Sequence, residues 1–200
     1  MPAIKKDPMS AQDVLDFWFL PEGSEGHGQP RAAWFKKSGA FDAAIADQFG
    51  PLIAQAVAGG LRDWDGLGPT GVVARILVLD QFTRNAWRDT PASFSGDSLA
   101  LAAARELVDS GAHLQLPPLM RWFAYMPFEH AEDGAMQERS VALFSALNEE
   151  HEGFAEVLDF AHRHRGVIAR FGRFPHRNAI LGRASTELET AFLQQPGSRF

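Results

Sequence analysis

The run Val72-Val73-Ala74-Arg75-Ile76-Leu77-Val78-Leu79-Asp80-Gln81-Phe82-Thr83-Arg84-Asn85, wound as a helix, is apolar over most of its circumference. A helix with so little polar surface must be covered on nearly every side, so this run marks the centre of the molecule. It also carries Asp80, Gln81 and Arg84, and a water-shielded position is costly for charged groups unless they meet partners.

Outward from that run, apolar residues recur at helical spacing almost everywhere and strand signals are weak. Towards the N-terminus, Ser10 with Asp13 makes a capping box ahead of Val14, Leu15, Trp18 and Phe19, which share a face. A second helix carries Phe41, Ile45, Phe49 and Leu52 on one stripe, and Gly50-Pro51 is expected to kink or break it. Towards the C-terminus, an alanine-rich helix is expected over 97–109, stopped at Gly111, and Pro117-Pro118 opens a short helix ending before Pro127. A further helix occupies about 133–150. From Gly153 to Phe171, Phe154, Val157, Ala161, His164, Ile168 and Phe171 repeat in threes and fours, which points His164 at the core. Thr186 and Glu189 form a second capping box for a last helix reaching about Leu193, followed by a tail expected to fray over about 195–200. The expectation is therefore an all-α fold, one domain over 1–200, built as an irregular array of helix pairs with short connections; no strict 34-residue repeat is evident.

Charge and composition exclude several function classes. The chain contains 200 residues, 46% of them hydrophobic, enough for one sizeable core. It has no cysteine, which removes disulfides, thiolate nucleophiles and Cys-ligated metals together. No run of about 18 apolar residues is present, and Lys5, Lys6 and Asp7 stand where a signal core would be, so a cytoplasmic protein without membrane contact is expected. A net charge of −6 argues against nucleic acid as the partner. Yet between Phe160 and Thr186 there is no Asp or Glu, while Arg163, Arg165, Arg170, Arg173, Arg177 and Arg183 supply six positive charges. Charges that dense need acids from elsewhere in the fold or an external anion.

Three clusters can carry chemistry. Asp80 and Arg84, four apart, share a helix face, either as a buried ion pair fixing helix register or as a fork aimed at a ligand. Glu129-His130-Ala131-Glu132 places two carboxylates and an imidazole together, suited to acid and base work or to neutralising the arginines; its spacing matches no metal motif. His164 with Arg170-Phe171-Gly172-Arg173-Phe174-Pro175-His176-Arg177-Asn178 can converge on a phosphate or carboxylate, although a histidine on an apolar stripe is more often a core residue. Neither a Gly-rich phosphate loop nor a Gly-x-Ser-x-Gly elbow is present.

At these clusters the sequence resembles the mainly bacterial family catalogued as domain of unknown function 924. The likeness runs from Val14-Leu15-Asp16-Phe17-Trp18-Phe19 and Trp34-Phe35 through Leu79-Asp80-Gln81-Phe82, Arg84-Asn85, Phe94 and Asp97. It continues through Pro127-Phe128-Glu129-His130, Glu132 and Gln137 to the segment from His164 to Arg183. Thr83 stands where the family usually has proline, and Ala131 where it usually has serine. The resemblance implies a tetratricopeptide-like helical superhelix and no particular activity.

These readings combine into one expectation. Asp80, Arg84, Glu129, His130, Glu132, His164, Arg170, Arg173, His176 and Asn178 converge in a polar pocket for a small anionic molecule. Arg170 and Arg173 clamp the anion, Asn178 orients it, and His130 or His164 with Glu129 supplies acid and base. No metal or cofactor is implied, and the oligomeric state is left open. Two rivals stand beside it: a tetratricopeptide-like module gripping an acidic peptide or protein partner, and a polar network that merely pins helix packing.

Overall fold

The computed structural model describes residues 9–199 of the chain; the basic start containing Lys5, Lys6 and Asp7, and Phe200 at the end of the tail, lie outside the described residues. Among the described residues the regular elements are all helical. In chain order they are α1 (Ala11–Phe19), α2 (Gly39–Val57), α3 (Pro69–Ile76), a π-helical segment (Leu77–Phe82), α4 (Thr83–Ala86), α5 (Asp97–Asp109), α6 (Pro118–Glu129), α7 (Gly134–Glu150), α8 (Ala155–Phe171) and α9 (Glu187–Leu193). Short 3-10 turns fill several connections, including Pro91–Phe94 and Pro175–Arg177.

Local chemistry sets the ends. Ser10 Oγ accepts from the Asp13 N–H while Asp13 accepts from the Ser10 N–H, closing the box ahead of α1, and Thr186 and Glu189 repeat the device ahead of α9. Asp133 caps α7 through the Met136 N–H. Gly172, left-handed at φ 68°, ends α8 and lets its N–H reach the Ile168 carbonyl at 2.8 Å.

Two prolines behave differently from the sequence expectation. α2 runs unbroken through Gly50-Pro51, and α6 continues past Pro127 to Glu129. Proline's fixed φ is itself helical, so its cost is one lost hydrogen bond and a crowded preceding turn. Burial of Ile45, Phe49, Leu52 and Ile53 on one side, and of Phe123 to Glu129 on the other, offsets that cost.

The central run begins earlier than the sequence suggests, at Pro69, and is not uniformly α-helical: Leu77–Phe82 are π-helical. Val73 to Leu79 are almost wholly buried, covered by α1, α2, α5 and α6. Trp18, Phe49, Phe82 and Phe123 pack edge to face or tilted around it, with Trp18 and Phe123 at 5.4 Å and Phe49 and Phe82 at 4.8 Å. The π turn frees backbone carbonyls, and Thr83 Oγ1 donates to those of Leu79 at 2.8 Å and Asp80 at 3.2 Å.

α5 approaches this segment so closely that only glycine fits at its start. A Cβ on Gly96 would stand 2.1 Å from the Leu79 carbonyl oxygen and 2.8 Å from its carbon. This approach brings Asp97, the first residue of α5, beside Arg84 of α4. At the far end, Ser198 is buried and its hydroxyl donates to the Leu193 carbonyl.

Candidate functional site

Asp80, at 1% exposure, is the hub of the polar interior. Its Oδ1 accepts from His130 Nδ1 at 2.7 Å and faces Arg84 Nη1 at 3.0 Å, and its Oδ2 accepts from Gln81 Nε2 at 2.6 Å. Burial alone would raise its pKa, but Arg84 and His130 outweigh burial and hold the carboxyl well below the usual carboxylate range. An ionised carboxylate only accepts, so His130 Nδ1 carries the proton and Nε2 keeps its lone pair. Burial and the Arg84 charge lower the His130 pKa despite Asp80, so the ring is neutral near pH 7. Among the described residues no protein group hydrogen-bonds Nε2.

Arg84 turns from Asp80 to Asp97, which takes both guanidinium arms at 2.8 and 3.0 Å. Asp97 also meets Arg177 Nη1 at 3.5 Å, across eighty residues of sequence. The Arg177 guanidinium is sandwiched between the rings of Phe174 at 4.5 Å and Phe94 at 4.8 Å. It is 7% exposed, and its Nε is buried without a hydrogen-bond partner among the described residues. Burial, with Arg84 nearby, pulls its pKa down to about 10, still charged at neutral pH.

Asp97, Leu101, Pro127, His130, Glu132 and Arg177 are among the walls of a cleft of about 290 Å³. Glu132 is held at its edge, both oxygens taken by Arg183 at 2.6 and 2.9 Å and one by the Phe174 N–H at 2.7 Å. Burial would raise the Glu132 pKa, but these donors lower it.

Behind the cleft lies a second pair. His164 Nδ1 donates to the Phe160 carbonyl at 2.9 Å and stands 3.4 Å from Glu129 Oε1; its ring centre is 6.4 Å from that of His130. Burial pushes Glu129 up to about 8, with the Asp80 charge adding, and pulls His164 down to about 3. His176, on the turn beside Phe174, is lowered by burial and by Arg177 to about 4.

These directions predict a pH profile. Folded Glu129 keeps its proton to about 8 whereas an unfolded glutamate loses it near 4.5, so its contribution to stability is complete below pH 4.5 and declines as pH rises to about 8. The two histidines work oppositely: below 6.5 the unfolded chain binds protons that the folded chain refuses, so stability rises with pH up to 6.5. His130, lowered likewise, adds to these two, and against the one glutamate they give a maximum near pH 6.5. Urea unfolding across pH 5 to 9 is expected to show it, and Glu129→Gln to flatten the alkaline decline; an unaltered decline in that variant contradicts the assignment.

The structure thus joins Asp80, Arg84 and His130 directly, sets Glu129 and His164 behind them, and holds Glu132 at the cleft edge. Three expected members do other work. Arg170 is exposed and lies over the Phe171 ring at 4.7 Å. Arg173 is bound by both oxygens of Glu189 and by the Ala184 carbonyl, fastening α9. Asn178 donates to Ser185 Oγ and accepts from Arg183 Nε, tying the 178–185 turn. Of the arginines between 160 and 186, Arg177 rather than Arg170 or Arg173 lines the cleft, with Asp97 beside it. Ala131 also lines the cleft, next to His130. Among the described residues no group of three or more His, Asp or Glu is placed to hold a metal ion, and no helix is long and apolar enough to cross a membrane.

Comparison with known proteins gives relatives of unknown function. No curated protein matches the chain. A solved structure of a protein of unknown function from Agrobacterium tumefaciens is similar at 36% identity and a TM-score of 0.78, covering 92% of this chain and 96% of that one. The family model described as a bacterial protein of unknown function, DUF924, matches residues 14–197, from Val14 in α1 to the turn after α9. The chain belongs to this DUF924 family.

Proposed function

We propose that the cleft binds a small molecule bearing an anionic group, that Arg177 receives that group, and that His130 Nε2 acts as a general base on it. The observation that carries the reading is the Asp80 to His130 bond at 2.7 Å. A buried carboxylate on Nδ1 fixes the tautomer and orients the ring, leaving an unprotonated nitrogen on a cleft wall. The π-helical turn around Asp80 supports it, since such turns sacrifice regular hydrogen bonding and occur frequently at functional sites. The cleft volume, about 290 Å³, suits a small molecule better than a peptide, nucleic acid or membrane surface. A cytoplasmic setting and a tetratricopeptide-like stacking of α5 to α8 complete the reading, the latter supported by the packing of α6 on α7 and α7 on α8.

The test is a thermal-shift series on the full chain with inorganic phosphate, pentanoate and chloride at matched ionic strength. A ligand that prefers the folded state raises the melting temperature, by an amount equivalent to about 2.7 kcal/mol at a hundredfold excess over Kd. Phosphate or pentanoate is expected to give a shift that Arg177→Lys reduces and His130→Gln preserves in part. Equal shifts with all three salts, unchanged in Arg177→Lys, contradict the reading.

A further inference from the structure

The charges around the cleft are not those of a site for an anion alone. Asp80, Asp97, Glu132 and Asp133 bring four negative charges, and Arg84, Arg177 and Arg183 bring three positive ones; Glu129 is neutral near pH 7. Asp80, Asp97 and Glu132 are each met by an arginine. Asp133 is exposed on the cleft wall, and among the described residues the one hydrogen bond to its carboxylate is the α7 cap, from Met136 N–H to Oδ1 at 2.9 Å. Its second oxygen accepts no hydrogen bond from the described residues. The cleft therefore has the Arg177 guanidinium, met by Asp97 at 3.5 Å, on one wall, an exposed carboxylate that no arginine meets on another, and the apolar surface of Leu101, Pro127 and Ala131 as well.

From this arrangement, and resting on the reading that Arg177 receives an anionic group, we infer that the ligand is a small aminocarboxylate zwitterion, its carboxylate on Arg177, its ammonium on Asp133 and its carbon chain against Leu101, Pro127 and Ala131. A dianionic phosphate is disfavoured because Asp97 lies 3.5 Å from the same guanidinium and would repel the second charge. A lone carboxylate satisfies Arg177 and leaves Asp133 uncompensated. A lone amine meets Asp133 and adds nothing at Arg177, whose Nη1 keeps Asp97 at 3.5 Å.

Isothermal titration of the full chain with 5-aminopentanoate, norvaline, pentanoate, pentylamine and inorganic phosphate tests this. At least one of the two aminocarboxylates is expected to bind tightest, ahead of pentanoate by roughly fivefold, the scale of one exposed ion pair. Asp133→Asn keeps an N-cap of equal quality for α7, so the fold is retained; in that variant the aminocarboxylate advantage is expected to vanish while pentanoate affinity does not fall. Pentanoate or phosphate binding as tightly as both aminocarboxylates overturns the zwitterion and leaves the anion site standing. Pentylamine binding tightest, or no binding by any of the five, overturns both.

Discussion

Asp80→Ala is expected to cost about 3–5 kcal/mol of folding stability, measured by urea unfolding near pH 6.5. The carboxylate is the shared acceptor of Arg84, His130 and Gln81, all drawn inward around a residue at 1% exposure. Its removal leaves Asp97 as the one carboxylate on Arg84 among the described residues and strips Nδ1 of its acceptor, so the loss exceeds that of one hydrogen bond. Asp80→Asn separates charge from shape. The amide oxygen can still accept from Nδ1–H, so a smaller loss is expected, about 1–3 kcal/mol, with the Arg84 charge less compensated. If Asp80→Ala costs under about 1 kcal/mol, Asp80 is not the hub described here.

Gly96→Ala is expected to cost about 3 kcal/mol and to disturb the cleft as well. The added methyl meets backbone, the Leu79 carbonyl at 2.1 Å, and backbone cannot swing aside as a side chain can. Relief requires α5 to withdraw from the π segment, taking Asp97 away from Arg84 and Arg177. Gly71→Ala is the control: its Cβ would strike the Trp64 carbonyl at 2.1 Å, outside the cleft. Both variants lose stability. Only Gly96→Ala is expected to weaken binding in the cleft, and equal binding by the two variants contradicts the coupling between α5 docking and the site.

The parts of this structure legible in the sequence are those governed by local chemistry. Ser10 with Asp13 and Thr186 with Glu189 announce helix starts because each box closes within four residues, and Asp97, Gly111 and Gly172 bound helices as expected. Pro51 and Pro127 misled because their cost is local while the compensation, burial of flanking side chains, is tertiary. The π turn was invisible, since one widened turn barely shifts the apolar period of a run buried on all sides. His164 did point inward, as its stripe required.

At the site, the Asp80 and Arg84 spacing and the Glu129, His130 and Glu132 group were readable, and the fold joins them. The arginine assignments were not. All six arginines between 160 and 186 looked alike in sequence, and the fold sorts them by reach: Arg163 to Asp159 on its own helix, Arg165 to Glu138, Arg173 to Glu189, Arg183 to Glu132, and Arg170 onto an aromatic ring. Arg177 alone enters the cleft. Its neighbour Phe174 was a local hint, but Phe94 and Asp97 come from about eighty residues away, and no spacing rule reaches that far.

The base assigned to His130 rests on which ring nitrogen carries the proton, and nitrogen NMR of the imidazole reads this directly. In isotope-labelled protein at pH 7, the account predicts a neutral His130 ring protonated at Nδ1 and bare at Nε2, with Asp80→Ala releasing that preference. A ring protonated at Nε2, or an imidazolium at pH 7, would contradict it.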